Sequence, residues 1–590
     1  MPYIDWLGKD DVVHHHKEIP YKTISCQEIV GDIDNENMII KGDNLLALKS
    51  LLPYYANAVK MIYIDPPYNT GNTSWVYNDN MDSPLIKKWL DSTVNAEDLS
   101  RSDKWLCMMY PRLKLLRELL KEDGVIFISI DDAEVANLRK ICDEIFGADN
   151  FINNVIWEKK YSPQNDAKWF SDNHDHLLVY AKNKMIWRPY LLERTDEQNS
   201  RYKNRDNDSR GAWKSGDFYV KSYSKAYDYP ITLPSGRVVT PPKGRCWRTS
   251  KEKFEKLVDE NRMWFGEDGN NVPAIKRFLT DVSGITPLTI WKYQDVGHNQ
   301  EALLELRKIF KEEIPFNTPK PVRLIQHILK LTTRDSDIIL DSFAGSGTTA
   351  HAVIEQNKQD GGNRKFILIE TLDYAKEITA ERVKRVQQGY AFKGKEKTTL
   401  YEKKITTAQL LKPKTMEKIA IEVENLIEKE KPNYTKIEKS FKENLLKVVG
   451  VKEIKSFKEG LGGGFKYCEL GAEIFDEFGE LNSELTFEDI AKHIYFVEFK
   501  QPLKVESEAL APNSTKLKLS FQNSYVGNHK KRHLYFFEER FKRVNMRKIA
   551  KEHYEYKEII VYTCKCSISE DELKKYKIIV RYIPYDIKDN

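Results

Sequence analysis

Two short stretches of the chain carry residue types whose spacing suits chemistry. Asp65-Pro66-Pro67-Tyr68 directly follows the apolar run VKMIYI. Two consecutive prolines stiffen the turn and set the direction of the Asp65 carboxylate and the Pro66 carbonyl. Tyr68 adds a flat face beside those two acceptors. Two acceptors and an aromatic platform can hold the exocyclic amino group of a nucleobase and stack its ring. The same residues also make an ordinary turn after a strand. The second stretch, Asp341-Ser342-Phe343-Ala344-Gly345-Ser346-Gly347, lies between DIIL and TTAHAV. Gly345 and Gly347 let a ligand approach the backbone at a helix N-terminus. Glu370 ends the next apolar run, 23 positions beyond Gly347, where a carboxylate can hydrogen-bond ribose hydroxyls. Together these predict a site for an adenosine-containing cofactor. The spacing also fits GxGxxA with Ala350 third, so a dinucleotide site is a rival.

The elements that must position these residues read as an α/β sheet. MIIKGD is a short apolar run ending in a turn, and VKMIYI, GVIFISID, DIILDSF and KFILIE read as strands. NLLALKSLLPYY, residues 103–122, EVANLRKICDEIFG, PVRLIQHILKLTT and TTAHAVIEQN have helical spacing. Strands alternating with helices argue for a parallel sheet. Residues 184–315 break the pattern with Asn, Gly, Pro, Arg and aromatics, so the α/β domain is split by an insertion. Insertions into a rigid scaffold often carry recognition. Beyond about 392 the chain turns Lys/Glu-rich: KGKEKTTLYEKK reads as a hydrated linker, MEKIAIEVENLIEKEK as a charged helix and GLGGGFKYCELG as a Gly-rich turn. HIYFVEF, EIIVYTC and KIIVRYI read as strands.

With 590 residues, 41% hydrophobic and 31% charged, the chain is large enough for several packed domains, which excludes global disorder and small disulfide scaffolds. No apolar run approaches the ~20 residues of a membrane span, the N-terminus lacks the order of a signal peptide, and seven scattered Cys suit reduced thiols. The expectation is a soluble cytoplasmic protein. The net charge of +5 is uneven: residues 201–256 hold 14 Lys+Arg against 6 Asp+Glu, interleaved with nine aromatics. Cations that meet phosphates and rings that stack on bases suit nucleic acid. A solvated basic region over an ordinary aromatic core is the alternative.

Asp-Pro-Pro-Tyr together with Phe-x-Gly-x-Gly resembles the amino-methyltransferases of DNA. IDPPYNTGN, WVYNDN, DLSRSDKWLCMMYPRL, ISIDD, NTPKPVRLI, DSFAGSGTTAHAV and GLGGGFKYCELG look like the modification subunit of a type III restriction–modification system. The resemblance runs from about residue 3 to 390 and more thinly beyond. It implies a Rossmann-like S-adenosylmethionine-dependent methyltransferase core, circularly permuted in the beta-class motif order and split by a mixed α/β target-recognition insert, with a C-terminal α+β domain. The implied division is 1–183 for the catalytic half, 184–315 for target recognition, 316–392 for the cofactor half and 393–590 for assembly. The implied catalytic residues are Asp65, Pro66, Pro67 and Tyr68. Asp341, Phe343, Ala344, Gly345, Ser346, Gly347, Glu370, Thr318 and Lys320 are implied for S-adenosylmethionine. Asn317 stands where many relatives carry Asp before TPKP. The implied activity is methylation of the N6 amino group of a flipped adenine in double-stranded DNA, with a homodimer and a restriction (helicase–nuclease) subunit as partners and no metal.

Cytosine N4 remains an alternative target, because similar turns serve both amino groups. A nicotinamide-dependent oxidoreductase leaves residues 65–68 without a role, and a non-catalytic DNA-specificity subunit leaves both motifs without one. His14-His15-His16 reads as a polar run and Cys564-x-Cys566 as strand cysteines, since no second zinc half-site exists. His174-Asp175-His176 reads as scaffold. No GxxxxGK[ST] loop occurs.

Overall fold

The six residues of VKMIYI are all buried, as expected of a strand covered on both faces, and the architecture is built around them. The computed structural model describes residues 4–32, 36–70, 100–165, 167–310, 316, 318–476, 478, 480–503, 524–552 and 558–583. Residues 71–72, the WVYNDN segment and Asn317 lie outside them.

Ten strands form the main sheet: β1 (Lys22–Gly31), β2 (Met38–Lys41), β3 (Val59–Ile64), β4 (Leu120–Ile130), β5 (Phe151–Glu158), β6 (His174–Ala181), β7 (Ile290–Trp291), β8 (Ile338–Asp341), β9 (Lys365–Glu370) and β10 (Gly464–Glu473). Their spatial order is β1-β10-β2-β9-β8-β3-β4-β6-β5-β7. From β10 to β4 every neighbouring pair is parallel. Strand β6 runs antiparallel to both β4 and β5, and β1 runs antiparallel to β10. The sheet is therefore mixed at its margins and parallel where the two motifs leave it. Strands β3 and β8 are direct neighbours, with Leu340 opposite Ile62. One continues through β4 to one side, the other through β9 to the opposite side. That reversal of strand order is the topological switch point where open α/β sheets bind ligands.

Helices cover this centre. Asp43 caps Asn44–Tyr55 by accepting from Leu45 N and Leu46 N, and a Ser100–Asp103 capping box opens Arg101–Leu119. The core joins Leu48, Leu51 and Leu52 to Trp105, Met109, Leu113 and Leu116 under Ile62, Ile64, Ile126 and Ile128.

Three expectations change beyond residue 389. The supposed hydrated linker is strand: Gly389–Lys404 pairs antiparallel with Leu445–Glu459, which also pairs with Lys436–Lys442. The Gly389–Lys404 strand is largely exposed, with residues 395–399 exposed without a break. Only its end, at Leu400 and Tyr401, packs beside Ile405 and Val448 against Ile419 and Val423 of helix Pro413–Glu430. HIYFVEF lies within helix Phe487–Phe499, opened by a Thr486–Asp489 capping box. A short apolar run fits either period, and the cap decides. The Gly-rich turn leads into β10, a strand of the main sheet, so the region after 393 is not separate from the catalytic sheet. Gly464 faces Gly31 across the β1–β10 pair. A Cβ on Gly464 would stand 2.5 Å from Asp32 N, which explains the glycine. EIIVYTC and KIIVRYI are strands, parallel to each other in a four-stranded sheet with Tyr525–His529 and Arg532–Phe541.

The chain forms two compact units, Pro189–Leu288 and the remainder. The smaller unit is narrower than 184–315, because Ile290–Trp291 pairs with β5. It holds a three-stranded sheet, two strand pairs and helix Lys251–Asp259. Of the nine aromatics between 201 and 256, Tyr202, Trp213, Phe218, Trp247 and Phe254 are buried. These five are core, not stacking surface. The cations behave differently: 12 of the 14 are exposed. Among the described residues no helix is long and apolar enough to cross a membrane, and all seven cysteines are free thiols.

Candidate active site

Because β3 and β8 are parallel neighbours, Asp65 and Asp341 emerge side by side, although the sequence separates them widely. A cavity of about 370 Å³ opens there. Asp65, Pro66, Tyr68, Thr318, Lys320, Asp341, Phe343, Ala344, Gly345 and Ser346 all line it. Pro67, Gly347 and Glu370 stand behind its wall.

The Asp65–Tyr68 turn is held from below. Trp105 Nε1 donates to the Pro67 carbonyl at 2.7 Å. Asn69, at φ 62°, donates through Nδ2 to Glu134 Oε1 at 2.6 Å. Ser102 and Asn137 also donate to the buried Glu134, at 2.8 and 2.7 Å. None of these partners was legible in sequence, since they come from two helices downstream, Ser102 and Trp105 from Arg101–Leu119 and Glu134 and Asn137 from the start of Val135–Cys142. A Trp in the first turns of the helix after the motif was the one available signal.

Two lysine–carboxylate pairs flank the Tyr68 ring. Lys320 Nζ is 2.5 Å from Asp65 Oδ2 and 5.1 Å from the ring centroid. Lys159 Nζ is 2.5 Å from Asp175 Oδ1, and the Tyr68 hydroxyl donates to Asp175 Oδ2 at 3.4 Å. Strand β5 runs in the same direction as β3, so its end delivers Lys159 to this edge. Strand β6 runs the opposite way, so its start delivers Asp175. Burial raises the Asp175 carboxyl above the ordinary range, with Lys159 opposing. His174 and His176 point to the other face. There Asn154 Nδ2 lies 3.0 Å from His176 Nδ1, so Nε2 carries the hydrogen and donates to Asp132 Oδ1 at 2.8 Å.

The Gly-rich turn is fastened at every step. Asp341 accepts from Phe343 N at 3.0 Å and from Thr349 Oγ1 at 2.5 Å. Asn44 Nδ2 donates to the Ser342 carbonyl, and Thr379 Oγ1 to the Gly345 carbonyl. Buried Arg382 donates to Ser346 Oγ and Thr348 Oγ1. Gly345 has φ 52°, and a Cβ there would stand 3.0 Å from Phe316 Cζ, which faces the cavity. Any side chain at 345 would fill the cradle. Gly347 has φ 78° and backs onto Thr379, whose carbonyl a Cβ would approach to 3.1 Å. Gly347→Val is therefore expected to lower stability by roughly 1–3 kcal/mol through backbone strain. Thermal unfolding checks this, and an unchanged midpoint would refute the strain.

Glu370 turns inward and accepts from Gly345 N at 2.8 Å and Leu372 N at 3.0 Å. It shapes the turn. Burial pushes the Asp341 and Glu370 carboxyls both up to about 7. From the ordinary carboxylate range up to those values the folded chain keeps protons that the unfolded chain has released, so the contribution of these two groups to stability is full at low pH and is lost as pH rises through about 7. Between about pH 5 and pH 8 the melting temperature is expected to drop less in Glu370→Gln than in the parent chain. Parallel profiles would contradict this.

A family profile described as DNA methylase matches residues 59–381, more than half of the chain. The Mod subunit of the type III restriction–modification enzyme StyLTI of Salmonella typhimurium is 36% identical over 425 residues, covering 65% of this chain and 62% of that one. The EcoPI Mod subunit of Escherichia phage P1 is 34% identical, covering 62% and 63%. Among solved structures, the cytosine-N4-specific PvuII DNA methyltransferase aligns over 59% of this chain and 86% of that one, with 12% identity and a TM-score of 0.31, too distant to add to the topology itself. The chain spans less than two thirds of the length of those two Mod subunits. The profile runs from the first residue of β3 through Asp65, the insertion and the Gly-rich turn to the helix after β9, and a match of that extent makes the chain a member of the DNA methylase family.

Proposed function

We propose that the chain is the modification subunit of a type III restriction–modification system, transferring a methyl group from S-adenosylmethionine to N6 of adenine in duplex DNA. The observation that carries this is the single cavity shared by Asp65, Tyr68 and the Gly345 turn. The Mod-subunit names of the relatives support the system.

The cavity suits S-adenosylmethionine. The cradle at Gly345 leaves room for a flat ligand beside Phe316, and Thr318 and Lys320 offer polar groups along the same wall. When bound, the cofactor supplies an electrophilic methyl group. The protein's own task is to make a poor nucleophile competent. The adenine amino lone pair is delocalised into the ring. An Asp65 oxygen and the Pro66 carbonyl, accepting from its two N–H groups, favour a pyramidal nitrogen and aim the lone pair. The neutral amine is too weak an acid to lose a proton first, so Asp65 acts as orienting acceptor and then as proton sink. A base inside a duplex cannot reach the cavity and must flip, with its ring on Tyr68. The exposed cations of Pro189–Leu288 would meet phosphates, and a restriction subunit and a second copy of the chain would be the protein partners.

Incubating the chain with S-adenosylmethionine and genomic DNA, followed by single-molecule sequencing, reports base, atom and motif together. N6-methyladenine in one sequence motif is expected. N4-methylcytosine would move the target, and unmodified DNA would overturn the proposal.

A further inference from the structure

Lys320 stands where the proposed substrate must go. Its ammonium is 2.5 Å from Asp65 Oδ2 and lies over the Tyr68 ring. Those are the acceptor and the stacking face assigned above to the flipped adenine. The ammonium therefore mimics an amine hydrogen-bonded to Asp65 beside an aromatic platform. It is largely buried, with 10% of its side chain exposed, so it cannot simply swing into solvent.

The backbone at this position is fixed. Pro319 and Pro321 flank Lys320 and restrict its dihedral angles, and the Lys320 carbonyl accepts from Thr348 Oγ1 at 3.1 Å. Only the four-carbon side chain is free to move. A buried ammonium that leaves one carboxylate needs another, because an unpaired buried charge is costly. Three further carboxyls line the cavity. Asp175 is held by Lys159. Asp341 is engaged by Phe343 N and Thr349 and is drawn toward its neutral form by burial. Asp131 accepts from Ala133 N at 2.9 Å and has further interactions. Among the described residues none waits for a second cation. The anion that draws Lys320 away must arrive with a ligand.

We propose that Lys320 is a placeholder for the substrate amine, withdrawn from Asp65 by the carboxylate at the amino-acid end of the methyl donor, so that the base is admitted only after the donor has bound. This rests on the function proposed above and adds an order to it. Binding of donor and of flipped base are then coupled, and the coupling is reciprocal.

The test uses the full chain and duplex DNA that keeps adenine at the methylated position and carries 2-aminopurine as its neighbour, whose fluorescence rises when the adenine leaves the stack. Two probes differ in the decisive group. Sinefungin keeps the amino-acid carboxylate and transfers no methyl group, whereas methylthioadenosine lacks that carboxylate. With the parent chain, sinefungin is expected to raise fluorescence and to tighten DNA binding on the order of 10-fold. Methylthioadenosine at saturation is expected to do neither. In Lys320→Met, fluorescence should already be high without a probe, the coupling should vanish and sinefungin should bind more weakly. Equal effects of the two probes on the parent chain would overturn the proposal, as would undiminished coupling in a folded Lys320→Met. Methylation by the same preparation of parent chain separates failure of this ordering from failure of the proposed function.

Discussion

Asp65→Ala is expected to bind S-adenosylmethionine nearly as the parent chain does and to transfer methyl groups about 10³-fold more slowly, since loss of one preorganised charge-stabilising contact commonly has an effect of about 10²–10³. The carboxylate touches the amine and not the adenosine end of the donor. Its removal also deprives Lys320 of its partner and takes a negative charge from beside Asp341, a minor contributor to that raised carboxyl. Asp65→Asn is the useful companion. It keeps one acceptor oxygen and nearly the same volume, so its rate should fall between the two. Single-turnover methylation and calorimetric titration of the donor measure both quantities. Parent-like turnover in the alanine variant would remove Asp65 from the mechanism.

Replacing Arg201, Lys203 and Arg205 together with glutamine should weaken binding to every duplex sequence alike. All three are exposed. Arg201 Nη2 is 3.8 Å from Glu197 Oε1, and Arg205 lies 5.7 Å from the centroid of the Trp213 ring. Cations so placed are suited to phosphates, which position a protein without specifying sequence. Each lost contact lowers the slope of log K against log salt by roughly 0.9, so three contacts cost on the order of 10²-fold in affinity near ~0.1 M salt. Fluorescence anisotropy across a salt series gives the slope. An unchanged slope would locate the phosphate contacts elsewhere, most naturally on the larger unit. Exchanging Pro189–Leu288 for the corresponding unit of a related enzyme should instead change the methylated motif. The cavity handles a single extruded base and a donor, and neither encodes the flanking sequence.

The parts that were legible in sequence are those whose signal is local. A buried strand followed by Pro-Pro, or by a Gly-x-Gly turn and a helix, announces itself within ten residues, and both turns occur where that reading puts them. What was not legible depends on long-range pairing. No local pattern states that β3 and β8 are neighbours, that Trp105 holds the Pro67 carbonyl, or that Lys159 and Asp175 reach the same edge from strands of opposite direction. Composition misled in two places. The charges of residues 393–404 hid a strand because both of its faces are largely exposed there, with Lys395, Glu396 and Lys397 exposed in succession. The aromatics of 201–256 suggested stacking surface, although Trp213, Phe218 and Trp247 fill a core beneath exposed cations. Glu370 was legible as the acidic end of a strand, but its orientation toward Gly345 N was not.

Strand β10 has a consequence for how the molecule is made. It lies between β1 and β2, yet it is the last of the ten strands to be synthesised. While the ribosome is still short of residue 473, β1 has no partner and β2 presents a bare row of backbone donors and acceptors, the template on which strands from other chains add. Domains generally fold as they emerge, at about 5–20 residues per second. The stretch from β9 to β10 therefore leaves that edge open for roughly 5–20 s at each synthesis. The same geometry means that a chain cut anywhere before β10 loses a seam of the catalytic sheet and not merely an appendage. Intactness of the C-terminal part is thereby written into the half that would modify DNA.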